Sequence, residues 1–192
     1  MDYVAFGSRT LIGLVFLVAA GTKFRDFGGF TESVRRLAPI LDRYAKPLAR
    51  LVIGVEVGIV ALLATPWTDG WCAGLAVALG LDALFTIAIV LALRRGDTEP
   101  CHCFGSSTSQ SLSVVEVVRD IALAVVASAG LANAAAMPAN THQLRTGGLL
   151  LAGVAGVLGA VLLILLDDMV GLFVSGPTAW GPPVEEASPW HI

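Results

Sequence analysis

An all-α fold, arranged as a polytopic transmembrane helical bundle, follows from three features of this 192-residue sequence. Hydrophobic residues make up 56% of the chain and charged residues only 14%, where soluble domains carry about 25% charged residues. Five stretches reach or approach the roughly 20 mostly apolar residues that a helix needs to cross the hydrocarbon core. The remaining charges gather mainly in a few polar segments between those stretches. The same composition excludes other classes. Intrinsic disorder requires low hydrophobicity. A net charge of -3 and a pI near 5.5 argue against a nucleic-acid binder. Three cysteines are too few for a disulfide-stapled secreted scaffold.

The spans are predicted at about 4–21, 48–64, 71–93, 112–137 and 149–166. The first resembles a signal peptide only in hydropathy. It opens Met-Asp-Tyr, without a basic leading region, and Lys23 and Arg25 follow it at once, so retention as a span is expected. Residues 22–47 form a long polar connection in which Phe27, Phe30, Val34, Leu37, Ile40 and Leu41 recur at three- and four-residue spacing. That period predicts an amphipathic helix on the membrane surface. The second span stops at Thr65-Pro66, because proline disfavours helix in the residue before it. Trp67 and Trp71 bracket the following tight turn, where indole rings prefer the membrane–water boundary. Span three leads into a second polar loop, residues 94–111, and span five carries no charge. Residues 1–166 are thus expected to form one transmembrane domain, and 167–192 a flexible Pro/Gly-rich tail.

Basic residues in short loops set orientation. Loop 22–50 holds Lys23, Arg25, Arg35, Arg36, Arg43, Lys46 and Arg50, and the loop after span three adds Arg94 and Arg95. The opposite side offers only Arg145. This bias places the protein in the cell membrane with its N-terminus outside and the 94–111 loop in the cytoplasm.

Six charges lie inside the apolar spans: Arg9, Glu56, Asp82, Glu116, Arg119 and Asp120. Each costs on the order of 3 kcal/mol to insert, so they should face the bundle interior, pair, or reach water. Glu116, Arg119 and Asp120 stand at i, i+3 and i+4, on one helical face. Arg9 and Glu56 are expected to pair across spans one and two. Two roles are open for the set. It could hold the bundle together, or Glu56, Asp82 and Arg119 could line a polar pocket for a redox partner or a proton. Small residues at four-residue spacing, Gly54 with Gly58 and Ala152 with Gly156 and Ala160, suggest close helix contacts.

The chemically richest stretch is Pro100-Cys101-His102-Cys103-Phe104-Gly105. Two thiols one residue apart can close a small strained disulfide, and strained disulfides are the labile, oxidising ones. A protonated His102 between them would favour the reactive thiolate. Cys101, Cys103 and His102 are therefore the candidate catalytic residues. Metal binding by Cys-His-Cys and two inert buried thiols are the competing readings. His142, the nearest fourth metal ligand, should lie across the membrane, so no metal site is expected. Cys72 opens span three, about 33 Å of helix from the end that precedes Cys101, and reads as a small apolar residue rather than a resolving thiol.

Several of these features together resemble the MauE/DoxX-like family of redox-associated membrane proteins. They are the opening run Gly13-Leu14-Val15-Phe16-Leu17-Val18-Ala19-Ala20-Gly21-Thr22-Lys23-Phe24, Glu56 in span two, Phe85-Thr86-Ile87-Ala88 before Arg94-Arg95-Gly96, the Cys101-His102-Cys103-Phe104-Gly105 motif, and Arg119. Asp120 stands where the family usually has asparagine. The resemblance implies a four-helix core, here with a fifth C-terminal span. It implies thiol–disulfide chemistry with a thiol or disulfide partner protein, in a lipid bilayer and without nucleic acid. In methylamine utilisation that chemistry serves maturation of the disulfide-rich small subunit of methylamine dehydrogenase. A quinone is the electron acceptor suggested by analogy with other four-helix membrane thiol oxidoreductases. A non-catalytic assembly or docking subunit, and a metal carrier or small transporter, are the alternative functions.

Overall fold

A computed structural model describes residues 2–37, 39–95, 114–135 and 146–174; the side chains of residues 2, 39–41, 114–116, 146 and 166–174 lie outside the description. All elements among the described residues are helical: α1 (Asp2–Arg25), α2 (Phe27–Leu37), a 3-10 segment (Pro39–Tyr44), α3 (Ala45–Ala64), α4 (Thr68–Arg94), α5 (Val114–Ala135) and α6 (Thr146–Val174). Five of these helices are long and apolar enough to cross a membrane. They correspond to the five expected spans, and the protein is a multi-pass membrane protein.

Helices α1, α3, α4 and α5 form a four-helix core in which each packs on two neighbours in the order α1–α3–α4–α5–α1. Ile12, Phe16, Ile59, Leu75, Ile89 and Leu123 are buried along its length. Helix α6 lies outside this ring, docked on α1. Most of its leucines and valines stay exposed to the lipid that its uniform hydropathy matches. It runs on to Val174, past Leu166, and residues 175–192, which hold most of the expected tail, lie outside the described residues.

The α1–α6 seam is built from small residues. A Cβ added at Gly156 would stand 2.7 Å from the Gly7 carbonyl oxygen and 3.0 Å from Thr10 Cβ, and one at Gly7 would meet the Ala152 carbonyl at 3.3 Å. The Ala152, Gly156, Ala160 spacing is therefore a close helix contact. The Gly54, Gly58 pair is not: an added Cβ meets nothing within 4 Å at either position, and four-residue spacing alone does not bring a second helix to that face.

Helix α1 extends four residues beyond the expected end of the first span, because nothing between Gly21 and Arg25 breaks a helix. The break falls at Asp26, whose carboxylate accepts from the Gly29 N–H (2.9 Å) and caps α2. A side chain at Gly29 would collide with that carboxylate. Helix α2 is the expected amphipathic helix, and part of its apolar face packs on the bundle. Phe30 and Val34 are buried against α3 and α4. The core offers an apolar surface at that end, and burial there supplies the same hydrophobic gain as a lipid interface. Arg95, just past α4, donates to the Leu37 carbonyl (3.4 Å) and ties down the far end of α2. At the opposite end of the bundle, Thr65 is extended before Pro66, and Trp71 Nε1 donates to the Thr65 carbonyl (2.7 Å).

Candidate functional site

Among the described residues, five ionisable side chains from four helices converge in the core: Lys23 on α1, Glu56 on α3, Asp82 on α4, and Arg119 and Asp120 on α5, all buried. Lys23 and Glu56 form an ion pair with both side chains fully buried. The Lys23 ammonium also stands 5.1 Å from the Phe30 ring centre and 4.9 Å from that of Phe85. These aromatic faces attract a desolvated cation. The amphipathic helix α2 thus supplies one wall of the ion-pair site.

On the other side, Arg119 Nη2 lies 3.6 Å from Asp120 Oδ1. Thr86 donates to the Asp82 carbonyl (3.0 Å), one turn back, and its hydroxyl stands 3.5 Å from Asp120 Oδ2. The charges of Arg119 and Asp120 act on both Lys23 and Asp82, so the five groups form one electrostatic unit. Asp82 is 3% exposed, and neither of its carboxylate oxygens accepts a hydrogen bond among the described residues; the same holds for Glu56 Oε2.

Glu56, Asp82 and Arg119, singled out from the sequence, are thus brought together. The expected Arg9–Glu56 pair is not formed. Arg9 lies about 21 Å along α1 from Lys23, at the tryptophan end of the bundle. Its guanidinium stacks 4.4 Å from the Trp71 ring centre and 5.8 Å from that of Phe6. Glu56 takes Lys23 instead. The signal for Lys23 was present: Ile12, Phe16, Ala19, Ala20 and Lys23 continue one stripe at three- and four-residue intervals, and all five are buried. The Glu116 side chain lies outside the described residues.

Cys101, His102 and Cys103, like His142, lie outside the described residues. Their segment leaves α4 after Arg95 and rejoins at Val114. Arg119 is five residues into α5, and Thr86 eight residues before the end of α4, so the cluster sits only about 8–12 Å along those helices from the bracketing ends. Cys72 begins at the opposite end of α4, near Trp71. Among the described residues, no three His, Cys, Asp or Glu side chains are grouped as metal ligands would be.

These features define a class of protein: a multi-pass helical membrane bundle with a buried charge network in one half of its core. Residues 1–133 match the family described as methylamine utilisation protein MauE, and the chain belongs to that family. The match takes in α1 to α4 and nearly all of α5, and ends before α6. Comparison with curated proteins and with solved structures gave no match.

Proposed function

We propose that the protein carries out thiol–disulfide exchange in the maturation of a partner protein, with Cys101 and Cys103 as the exchanging pair and His102 favouring the thiolate. The observation that carries this reading is the position of the Cys101–Cys103 segment. It is bracketed by the two helices whose adjoining halves hold Asp82, Arg119 and Asp120. The thiolate of one cysteine attacks a disulfide of the partner, forming a mixed disulfide and releasing the partner's other sulfur as thiolate. The second cysteine then displaces the partner, leaving a Cys101–Cys103 disulfide and a partner dithiol. The reverse sequence oxidises the partner, and either direction balances without an external oxidant. Membership of the methylamine utilisation family supports a partner in that process. The basic loops support a cytoplasmic position for the pair.

A quinone acceptor has less support. It rests on the analogy with other four-helix membrane thiol oxidoreductases alone. No step is routed through one. A docking role for the intramembrane charges is also less supported, because Lys23 pairs with Glu56 and Arg119 with Asp120 inside the bundle.

The test is a trapping experiment. Cys103→Ser should accumulate a mixed disulfide between Cys101 and a partner, visible as a reducible adduct. In the unaltered protein the pair should shift between oxidised and reduced forms. If both thiols stay reduced under every growth condition, and serine variants retain function, the proposal fails.

A further inference from the structure

The buried cluster holds two cations, Lys23 and Arg119, against three carboxyl groups, Glu56, Asp82 and Asp120. Among the described side chains the imbalance is one charge, in a region where uncompensated charge is costly. No further lysine or arginine can come from residues 96–116. That segment contains Asp97, Glu99 and Glu116 but no Lys or Arg, and His102 is its only basic side chain. The eight basic residues nearest this end, Arg25, Arg35, Arg36, Arg43, Lys46, Arg50, Arg94 and Arg95, have exposed side chains and do not enter the core. Among the five groups Asp82 stands apart. Glu56 has Lys23, and Asp120 has Arg119 and Thr86 nearby, whereas both Asp82 oxygens lack a hydrogen-bond donor among the described residues although the residue is only 3% exposed.

We propose that Asp82 is a proton-binding site, holding one exchangeable proton that brings the five-membered cluster to neutrality. The charged groups facing it are Arg119 and Asp120 from α5; these two also act on Lys23 from α1, which pairs with Glu56 from α3 and stands beside the Phe30 ring of α2. A proton suits the site better than a metal ion, because it needs one oxygen rather than a shell of ligands. The Thr86 hydroxyl, bonded to the Asp82 backbone carbonyl, stands 3.5 Å from Asp120 on the α5 side of the cluster. The site lies in the half of the bundle that adjoins the cysteine segment, and its existence does not depend on the thiol chemistry.

Infrared difference spectroscopy of the purified full-length protein, between acidic and alkaline buffers, tests this. The expected result is a protonated-carboxyl carbonyl band that shifts in heavy water and on isotope labelling of aspartate. It should be lost in Asp82→Asn and retained in Asp120→Asn. Asp82→Asn carries the neutral charge of the protonated form and should melt within a few degrees of the unaltered protein. If it fails to fold, the aspartate-labelled band of the unaltered protein still decides whether a buried aspartic acid exists. Absence of that band, or its persistence in Asp82→Asn, overturns the proposal. So does thermal stabilisation by sodium that disappears in Asp82→Asn, which would make the ligand an alkali cation. Cys101→Ser and Cys103→Ser should keep the band, so failure of the thiol reading and failure of this one are distinguishable.

Discussion

Lys23 and Glu56 are each costly to bury alone, and each makes the other tolerable. Removing one partner leaves a buried unpaired charge, so Lys23→Met should lower unfolding stability in detergent by about 3–5 kcal/mol. Replacing both, Lys23→Met with Glu56→Met, should recover most of that loss, since a hydrophobic pair of similar size is often as stable as a buried ion pair. A double-mutant cycle on denaturant unfolding measures the coupling. If the double variant is as unstable as the sum of the singles, the two residues do not act as a pair. This is also the scale at which the sequence was least legible. Glu56, Asp82 and Arg119 were found because a charge within an apolar span is conspicuous. Lys23 was not, because it follows Gly21 and reads as the first charge of a polar loop. Only the helical stripe from Ile12 onward places it inside. The Arg9–Glu56 pairing erred because opposite charges in neighbouring spans were matched without regard to depth.

At the scale of elements, hydropathy and chain punctuation located all five spans. The end of α3 at Ala64 followed from Thr65-Pro66, and the period of α2 was correctly helical. What a linear pattern lacks is the identity of the surface that an amphipathic face meets. Helix α2 covers the end of the core and presents Phe30 to Lys23. Phe30→Ala should therefore cost about 3–5 kcal/mol in the same unfolding assay. Glu32→Ala, which loses only exposed pairs with Arg35 and Arg36, should change stability by less than about 1 kcal/mol. Similar losses for both would mean that α2 does not bury Phe30. The α1–α6 seam makes a second prediction. Gly156→Leu has no room beside the Gly7 backbone and should displace α6. Cross-linking of Phe6→Cys to Gly153→Cys by a short bifunctional maleimide reports it: linkage should be efficient with Gly156 and fall several-fold with Gly156→Leu. Gly54→Leu and Gly58→Leu, at open positions, should leave it unchanged.

For the whole molecule, the distribution of charge carries information that the fold does not. Helix alternation gathers the end of α1, all of α2, the 3-10 segment, the start of α3 and the end of α4 at one end of the bundle. Lys23, counted from sequence among the loop charges, is withdrawn into the core and no longer marks a face. Eight exposed basic residues remain at that end, Arg25, Arg35, Arg36, Arg43, Lys46, Arg50, Arg94 and Arg95. The turn at 65–67 has none, and the 136–145 segment contributes only Arg145. The bias survives the correction, and on the positive-inside rule we propose that the basic end is cytoplasmic. In a cysteine-free background, Asp42→Cys in the 3-10 segment should react with a membrane-impermeant maleimide only after the cells are opened. Trp67→Cys, in the exposed turn between α3 and α4, should react in intact cells. The opposite pattern would invert the molecule. The outcome decides which thiol pool is available to Cys101 and Cys103. In the sequence they follow Arg94 and Arg95, which stand at the basic end. A cytoplasmic pair faces a reducing pool and would be kept as thiols unless a partner oxidises it, whereas an outward pair would rest as a disulfide. The resting redox state of the pair, read by alkylation before and after cell opening, should therefore agree with the labelling of Asp42→Cys.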